Sequence, residues 1–216
     1  MRLDRASTLY IAQPIKRFFT AGRHISVPVL MYHSISEHRA TWSHPYFDVD
    51  TDISVFDAQV RHLEEKRYLA LSLDDLPYWF QLPDAKRRRA VVITFDDGYE
   101  DFLTAALPVL LSHGLGATAF LPTGRIGMTS KVVHGRRHLS WSQILELRRL
   151  GILIGSHTVN HLQLGLLSER QIRYELEASK AILEDRLGES ITCFSHPFGF
   201  PGENRIYEHQ LIKPAP

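Results

Sequence analysis

Six short apolar runs rich in β-branched and aromatic residues constrain the fold of this chain more than any other feature. They occupy Val27–Tyr32, Tyr68–Leu73, Val91–Phe95, Ala117–Leu121, Ile152–Gly155 and Ile191–Phe194. The runs are continuous rather than alternating, which suits strands covered on both faces, as in parallel sheets. Helix-period segments lie between them. Phe56, Val60 and Leu63 fall at i, i+4 and i+7 on one face, and Ile144, Leu145, Leu147 and Leu150 are read as a second face. Ser140-Trp141-Ser142-Gln143 and Ser168-Glu169-Arg170-Gln171 both fit the capping box that opens a helix. Gly114, Gly151 and Gly188 stand where helices would end. Strand, helix, strand, repeated about six times, predicts an α/β fold with right-handed crossovers, either a βα barrel or an open parallel sheet.

In either architecture the loops that follow the strands gather on one face, and catalytic groups collect there. The residues just after the runs are His33, Asp96 with Asp97, His157, and His196 with Pro197, and His161 follows His157 by four. Adjacent carboxylates at one strand end repel, and one of them must be driven toward its protonated form unless a cation sits beside the pair. A metal supplies that cation, and histidine with carboxylate favours zinc or a similar divalent ion with a position open to water. Taken singly, Asp96-Asp97-Gly98 reads equally well as a turn that caps a helix starting near Tyr99. A lone His-x-x-x-His pair is more often structural than ligating. The convergence of all these groups on one rim is what favours a metal centre.

Composition narrows the rest. With 216 residues, 44% of them hydrophobic, the chain can bury a full core, most simply as one domain. Lys plus Arg number 25 against 24 Asp plus Glu, so no general field favours nucleic acid or an anionic membrane. The basic run Lys86–Arg89 reads as a solvated loop ahead of a buried strand. A single cysteine, Cys193, excludes an internal disulfide framework and a thiolate zinc site. The N-terminal MRLDRASTLYIAQPIKRFF has charges and a proline where a signal peptide needs an unbroken apolar stretch, so it is read as uncleaved and the protein as cytoplasmic. No stretch approaches the roughly 20 apolar residues that span a bilayer.

Two motifs carry a resemblance. Thr94-Phe95-Asp96-Asp97-Gly98-Tyr99 and Ser156-His157-Thr158-Val159-Asn160-His161 resemble the first two signature motifs of the polysaccharide deacetylases, the carbohydrate esterase family 4 group with the NodB homology domain. Val29-Leu30-Met31-Tyr32-His33-Ser34-Ile35 and His196-Pro197-Phe198-Gly199 resemble the subgroup acting on poly-N-acetylglucosamine and related exopolysaccharides. The resemblance implies a distorted, incomplete (β/α) barrel of about six to seven parallel strands, with the active site at the C-terminal strand ends. It divides the chain into an N-terminal extension (1–26), the deacetylase domain (27–202) and a short tail (203–216).

For the site it implies one divalent metal, zinc before cobalt, nickel or iron, held by Asp97, His157 and His161. Asp96 is then the general base toward a water activated by the metal, and His33 the acid that protonates the departing amine. Phe198, through its backbone N–H, with Pro197 and Tyr99, falls to the oxyanion and substrate side. The implied reaction removes N-acetyl groups from N-acetylglucosamine-containing polysaccharide or its precursor. The chain departs from the family pattern at Ser195, where many members carry arginine, and at His196, where the subgroup carries an aromatic residue. The stretch after residue 202 offers no further strand and helix, so an open sheet edge with an exposed apolar flank is expected. The alternative expectation is a truncated remnant that binds metal or sugar without turnover.

Overall fold

In a computed structural model of the chain, residues 26–37, 49–133 and 135–199 are described. Apart from Ser26, the N-terminal extension lies outside the described residues, as does the tail 203–216. The elements run in the order β1 (Val29–Tyr32), β2 (Ser34–Ser36), β3 (Asp50–Asp52), α1 (Ile53–Glu65), β4 (Leu69–Leu71), α2 (Leu76–Gln81) and β5 (Ala90–Phe95). There follow a π-helical turn (Phe102–Ala106), α3 (Leu107–Ser112), β6 (Thr118–Leu121), β7 (Val132–Val133), β8 (Arg136–Arg137), α4 (Trp141–Arg149) and β9 (Leu153–Ser156). The last helical stretch is α5 (Glu169–Arg173), a second π-helical turn (Tyr174–Ala178) and α6 (Ser179–Leu187).

Five of the six apolar runs become strands of one parallel sheet, ordered β1-β5-β6-β9 with β4 also paired to β5. Val29 lies opposite Val92, Leu69 opposite Ala90, Thr94 opposite Thr118, and Thr118 opposite Leu153. The sixth run adds a single parallel bridge from Phe194 to Ser156. The sheet is open: among the described residues β1 has no partner on its outer edge, and Val29 and Met31 there are exposed. β2 pairs with β3 and β7 with β8 in two small sheets that the apolar runs did not announce, since strands of two or three residues carry too little periodicity to read.

All six residues of β5 are buried, as a central parallel strand requires. Helix faces cover it. Phe56, Val60 and Leu63 of α1 pack with Ile93, Phe95, Phe102, Leu107 and Leu110 in one core. Beneath the end of β5, the Phe95 ring stacks on Phe102 at 4.4 Å and meets Phe56 edge-on at 5.8 Å. Aromatic pairs of this kind are worth about 0.5–1.5 kcal/mol beyond their burial. They anchor the strand end that carries Asp96.

Both capping boxes are present: Ser140 N–H donates to Gln143 Oε1 at 2.8 Å ahead of α4, and Ser168 N–H to Gln171 Oε1 at 3.0 Å ahead of α5. Gly114, Gly151 and Gly188 all take positive φ at helix ends. The second helix face needs correction. Trp141, Ile144 and Leu147 form the buried stripe of α4, whereas Leu145 is 40% and Leu150 44% exposed. Leu145 sits about 100° round the helix from Ile144, which turns it off that stripe.

Candidate metal centre and active site

The C-terminal ends of β5 and β9 bring the two motifs together. One potential ligand atom from each of Asp97, His157 and His161 lies within 4.8 Å of the other two. His161 Nε2 is 2.8 Å and His157 Nε2 3.5 Å from Asp97 Oδ1, and the two imidazole rings are 4.8 Å apart. Asp97 Oδ1 is buried and makes no hydrogen bond. His157 Nδ1 meets the backbone oxygen of Ser195 at 2.8 Å. A carbonyl only accepts, so Nδ1 carries the proton and the lone pair of Nε2 faces Asp97. Two imidazoles and a carboxylate therefore converge on one space, which is the ligand set a divalent cation fits. Burial alone would raise the carboxyl of Asp97, but with His157 and His161 protonated their hydrogen bonds and charge outweigh that and hold it well below the usual carboxylate range.

The remaining oxygen of Asp97 is held too. Tyr99 OH donates to Asp97 Oδ2 at 3.0 Å, and His138 Nδ1–H donates to the Asp97 backbone oxygen at 3.0 Å. Tyr99 thus turns its hydroxyl to the carboxylate from a buried position, and its ring lies beneath the Arg136 guanidinium at 5.1 Å. Burial and the charge of Asp97 together raise the Tyr99 phenol.

Asp96 is buried beside the triad. Its Oδ2 accepts from Ser195 Oγ at 3.0 Å, and Oδ1 has no partner. Burial raises the Asp96 carboxyl against the opposing pull of His157, His33 and the Ser195 hydroxyl. His33, at the end of β1, is half-buried and close enough to act on Asp96 electrostatically. Burial, with the charge of His157, lowers His196. Pro197 is buried, and Phe198 is 51% exposed with its ring 5.0 Å from that of His161. Tyr32 packs on Phe56 and Phe95.

Backbone strain gathers at this rim. Of the five non-glycine residues with positive φ among the described residues, Asp97, Thr158, His161 and Phe198 belong to the site, and Arg67 alone does not. Such conformations cost of order 1–3 kcal/mol each and persist where the surroundings over-determine them. The residues that do so here, His138, Ser195 and Glu175, were missed by sequence reasoning. His138 and Glu175 follow no apolar run, and Ser195 was legible only as a departure from the family pattern.

The sequence profile described as Polysaccharide deacetylase matches residues 83–211. The chain is 31% identical to the Bacillus subtilis (strain 168) polysaccharide deacetylase homologue YxkH over 180 residues, 83% of this chain and 59% of that protein. A poly-β-1,6-N-acetyl-D-glucosamine N-deacetylase of Staphylococcus aureus (strain MSSA476) is 24% identical over 162 residues, 71% of this chain and 55% of that protein. The chain therefore spans less than two thirds of either relative's length. The solved structure of Streptococcus pyogenes deacetylase PplD in complex with acetate shares the fold at a TM-score of 0.67 and 26% identity, covering 80% of this chain and 74% of that one. With the profile matched over more than half of its residues and a relative at 31% identity along 83% of them, the chain belongs to the polysaccharide deacetylase family.

Proposed function

We propose that the chain is a metal-dependent N-deacetylase that removes acetyl groups from N-acetylglucosamine-containing polysaccharide or its precursor. The observation that carries this reading is the convergence of one potential ligand atom each from Asp97, His157 and His161 within 4.8 Å, with the buried carboxyl of Asp96 alongside. Two imidazoles and a carboxylate suit zinc first, with cobalt, nickel or iron as alternatives. A divalent cation held by these residues would supply Lewis acidity toward an amide carbonyl and would make water acidic near neutral pH.

The protein's own groups divide the remaining work. Asp96, with one oxygen held by Ser195, takes a proton from the attacking water as that water's oxygen bonds to the acetyl carbon. His33 gives a proton to the sugar nitrogen as the C–N bond breaks, so the products are acetate and a free amine. The backbone N–H of Phe198 faces the developing oxyanion, and its exposed ring offers a sugar a stacking surface beside His161. Tyr99 and Pro197 belong to this side: Tyr99 holds Asp97 through its hydroxyl, and Pro197, next to Phe198 in the chain, is buried. The relative from Staphylococcus aureus, named for poly-β-1,6-N-acetyl-D-glucosamine, supports β-1,6-linked oligomers as the first substrates to try.

The test is acetate release from such oligomers by protein carrying stoichiometric zinc. Acetate is expected. Zinc-loaded protein that releases none from any acetylated glucosamine oligomer would leave the alternative, a binding protein without turnover. Asp96→Asn is expected to lower acetate release by ~10²-fold or more, the usual contribution of base catalysis, while zinc content is unchanged. Loss of zinc in that variant would mean that the two aspartates have exchanged roles.

A further inference from the structure

Thr158, Val159 and Asn160 separate the two candidate ligand histidines, and the turn they form is held in an unfavourable shape. Thr158 and His161 take φ of 69° and 55°, a region that side chains with a Cβ avoid. Inside the turn, His161 N–H donates to Thr158 Oγ1 at 3.0 Å. From one side its carbonyls are gripped: Thr123 N–H donates to Thr158 O at 3.1 Å, and Gly124 N–H to Val159 O at 2.8 Å. From the other side its N–H groups are gripped by one side chain. Glu175 Oε2 accepts from Val159 N–H at 2.9 Å and from Asn160 N–H at 2.7 Å, and Oε1 accepts from Asn160 Nδ2 at 2.6 Å.

Glu175 is 2% exposed and lies in the π-helical turn between α5 and α6. Burying a carboxylate is costly unless its oxygens are satisfied, and here both are satisfied by the turn. An apolar side chain would fill the same space without that cost. The π-helical turn adds one residue to the helical turn and so re-phases the helix around Glu175, a feature frequent at functional sites.

We propose that Glu175 is a positioning residue of the metal centre, fixing the turn between His157 and His161 so that their Nε2 atoms meet Asp97. This rests on the reading of those three residues as metal ligands. Gly124 is the opposing clamp: a Cβ there would lie 2.7 Å from Val159 O, too close for any side chain unless the turn shifts.

Zinc dissociation constants from competition with a chromophoric chelator test this on the full chain, with metal-free melting temperatures measured in parallel. Glu175→Gln keeps the size of the side chain but removes the charge and leaves one acceptor oxygen where two served, and its zinc affinity is expected to fall ~10–100-fold, the range for groups that hold metal ligands in place. Gly124→Ala is expected to fall in the same direction, and Glu175→Asp, which keeps the charge, to retain more affinity than Glu175→Gln. Wild-type zinc affinity in Glu175→Gln, with only the melting temperature lowered, makes Glu175 a structural residue and overturns the proposal. Should Glu175→Gln not fold, Glu175→Asp and Gly124→Ala decide, and wild-type affinity in both overturns it equally. Failure of the unaltered chain to bind zinc overturns the metal-site reading and this proposal with it.

Discussion

Ser195 serves the site through two different atoms. Its hydroxyl donates to Asp96 Oδ2 at 3.0 Å, and its backbone oxygen accepts from His157 Nδ1 at 2.8 Å. Ser195→Ala removes the first contact and keeps the second. A hydrogen bond to a charged group is worth about 1.5–3 kcal/mol, so acetate release is expected to drop by roughly tenfold or more with zinc content intact. A parallel loss of zinc, measured on the same preparation, would show that the hydroxyl supports the ligands rather than the base. The residues legible from sequence were those at strand ends: Asp96, Asp97, His157 and His161 each stand where an apolar run stops or within one turn of it. Ser195, His138 and Glu175 act through contacts made across 15 to 99 positions of sequence, such as Val159 to Glu175 or Ser195 to Asp96, and no local pattern records those.

Helix starts were the most legible elements because a capping box is complete within four residues. Ser140 opens α4, whose buried stripe of Trp141, Ile144 and Leu147 packs in the main core. Ser140→Ala is expected to cost about 1 kcal/mol and to lower the melting temperature by roughly 2–4 °C for a chain of this size. Thermal unfolding of variant and parent checks it, and an unchanged melting temperature would mean that the cap is satisfied by water instead. Elements shorter than a full period were not legible. β2, β3, β7 and β8 are two or three residues long, and their pairing depends on partners such as Arg136, whose guanidinium reaches Asp50 at 2.6 and 2.7 Å.

One side chain should make the stability of the whole molecule fall as the pH rises beyond about 6.5. His113 follows α3 and meets Glu64 of α1 at 2.6 Å and Asp57 at 3.5 Å. The Glu64 carboxylate, with Asp57, raises its imidazole above the ordinary 6.5. A raised pKa in the folded state means a contribution present in full below about 6.5 and lost as the pH climbs through the folded value. Asp101 has the same sign at lower pH: burial pushes it from 3.8 to about 6, so its contribution is lost between those values and is largely gone before that of His113 begins to fall. Urea midpoints are therefore compared above pH 6.5, where His196, lowered by burial, no longer acts in the opposite direction; they are expected to fall between pH 6.5 and 8.5, less steeply in His113→Gln. Equal slopes in the two proteins would remove His113 from the account. The order of the main sheet strands and the helices between them, their class and the strand ends that bear the acidic and imidazole groups were already settled along the chain, because periodicity and capping act over one or two turns. The open sheet, the inward hydroxyl of Tyr99 and the clamped turn between His157 and His161 required folding. Each depends on groups remote in sequence, whose approach is favourable only after core packing has offset the entropy of closing the loops between them.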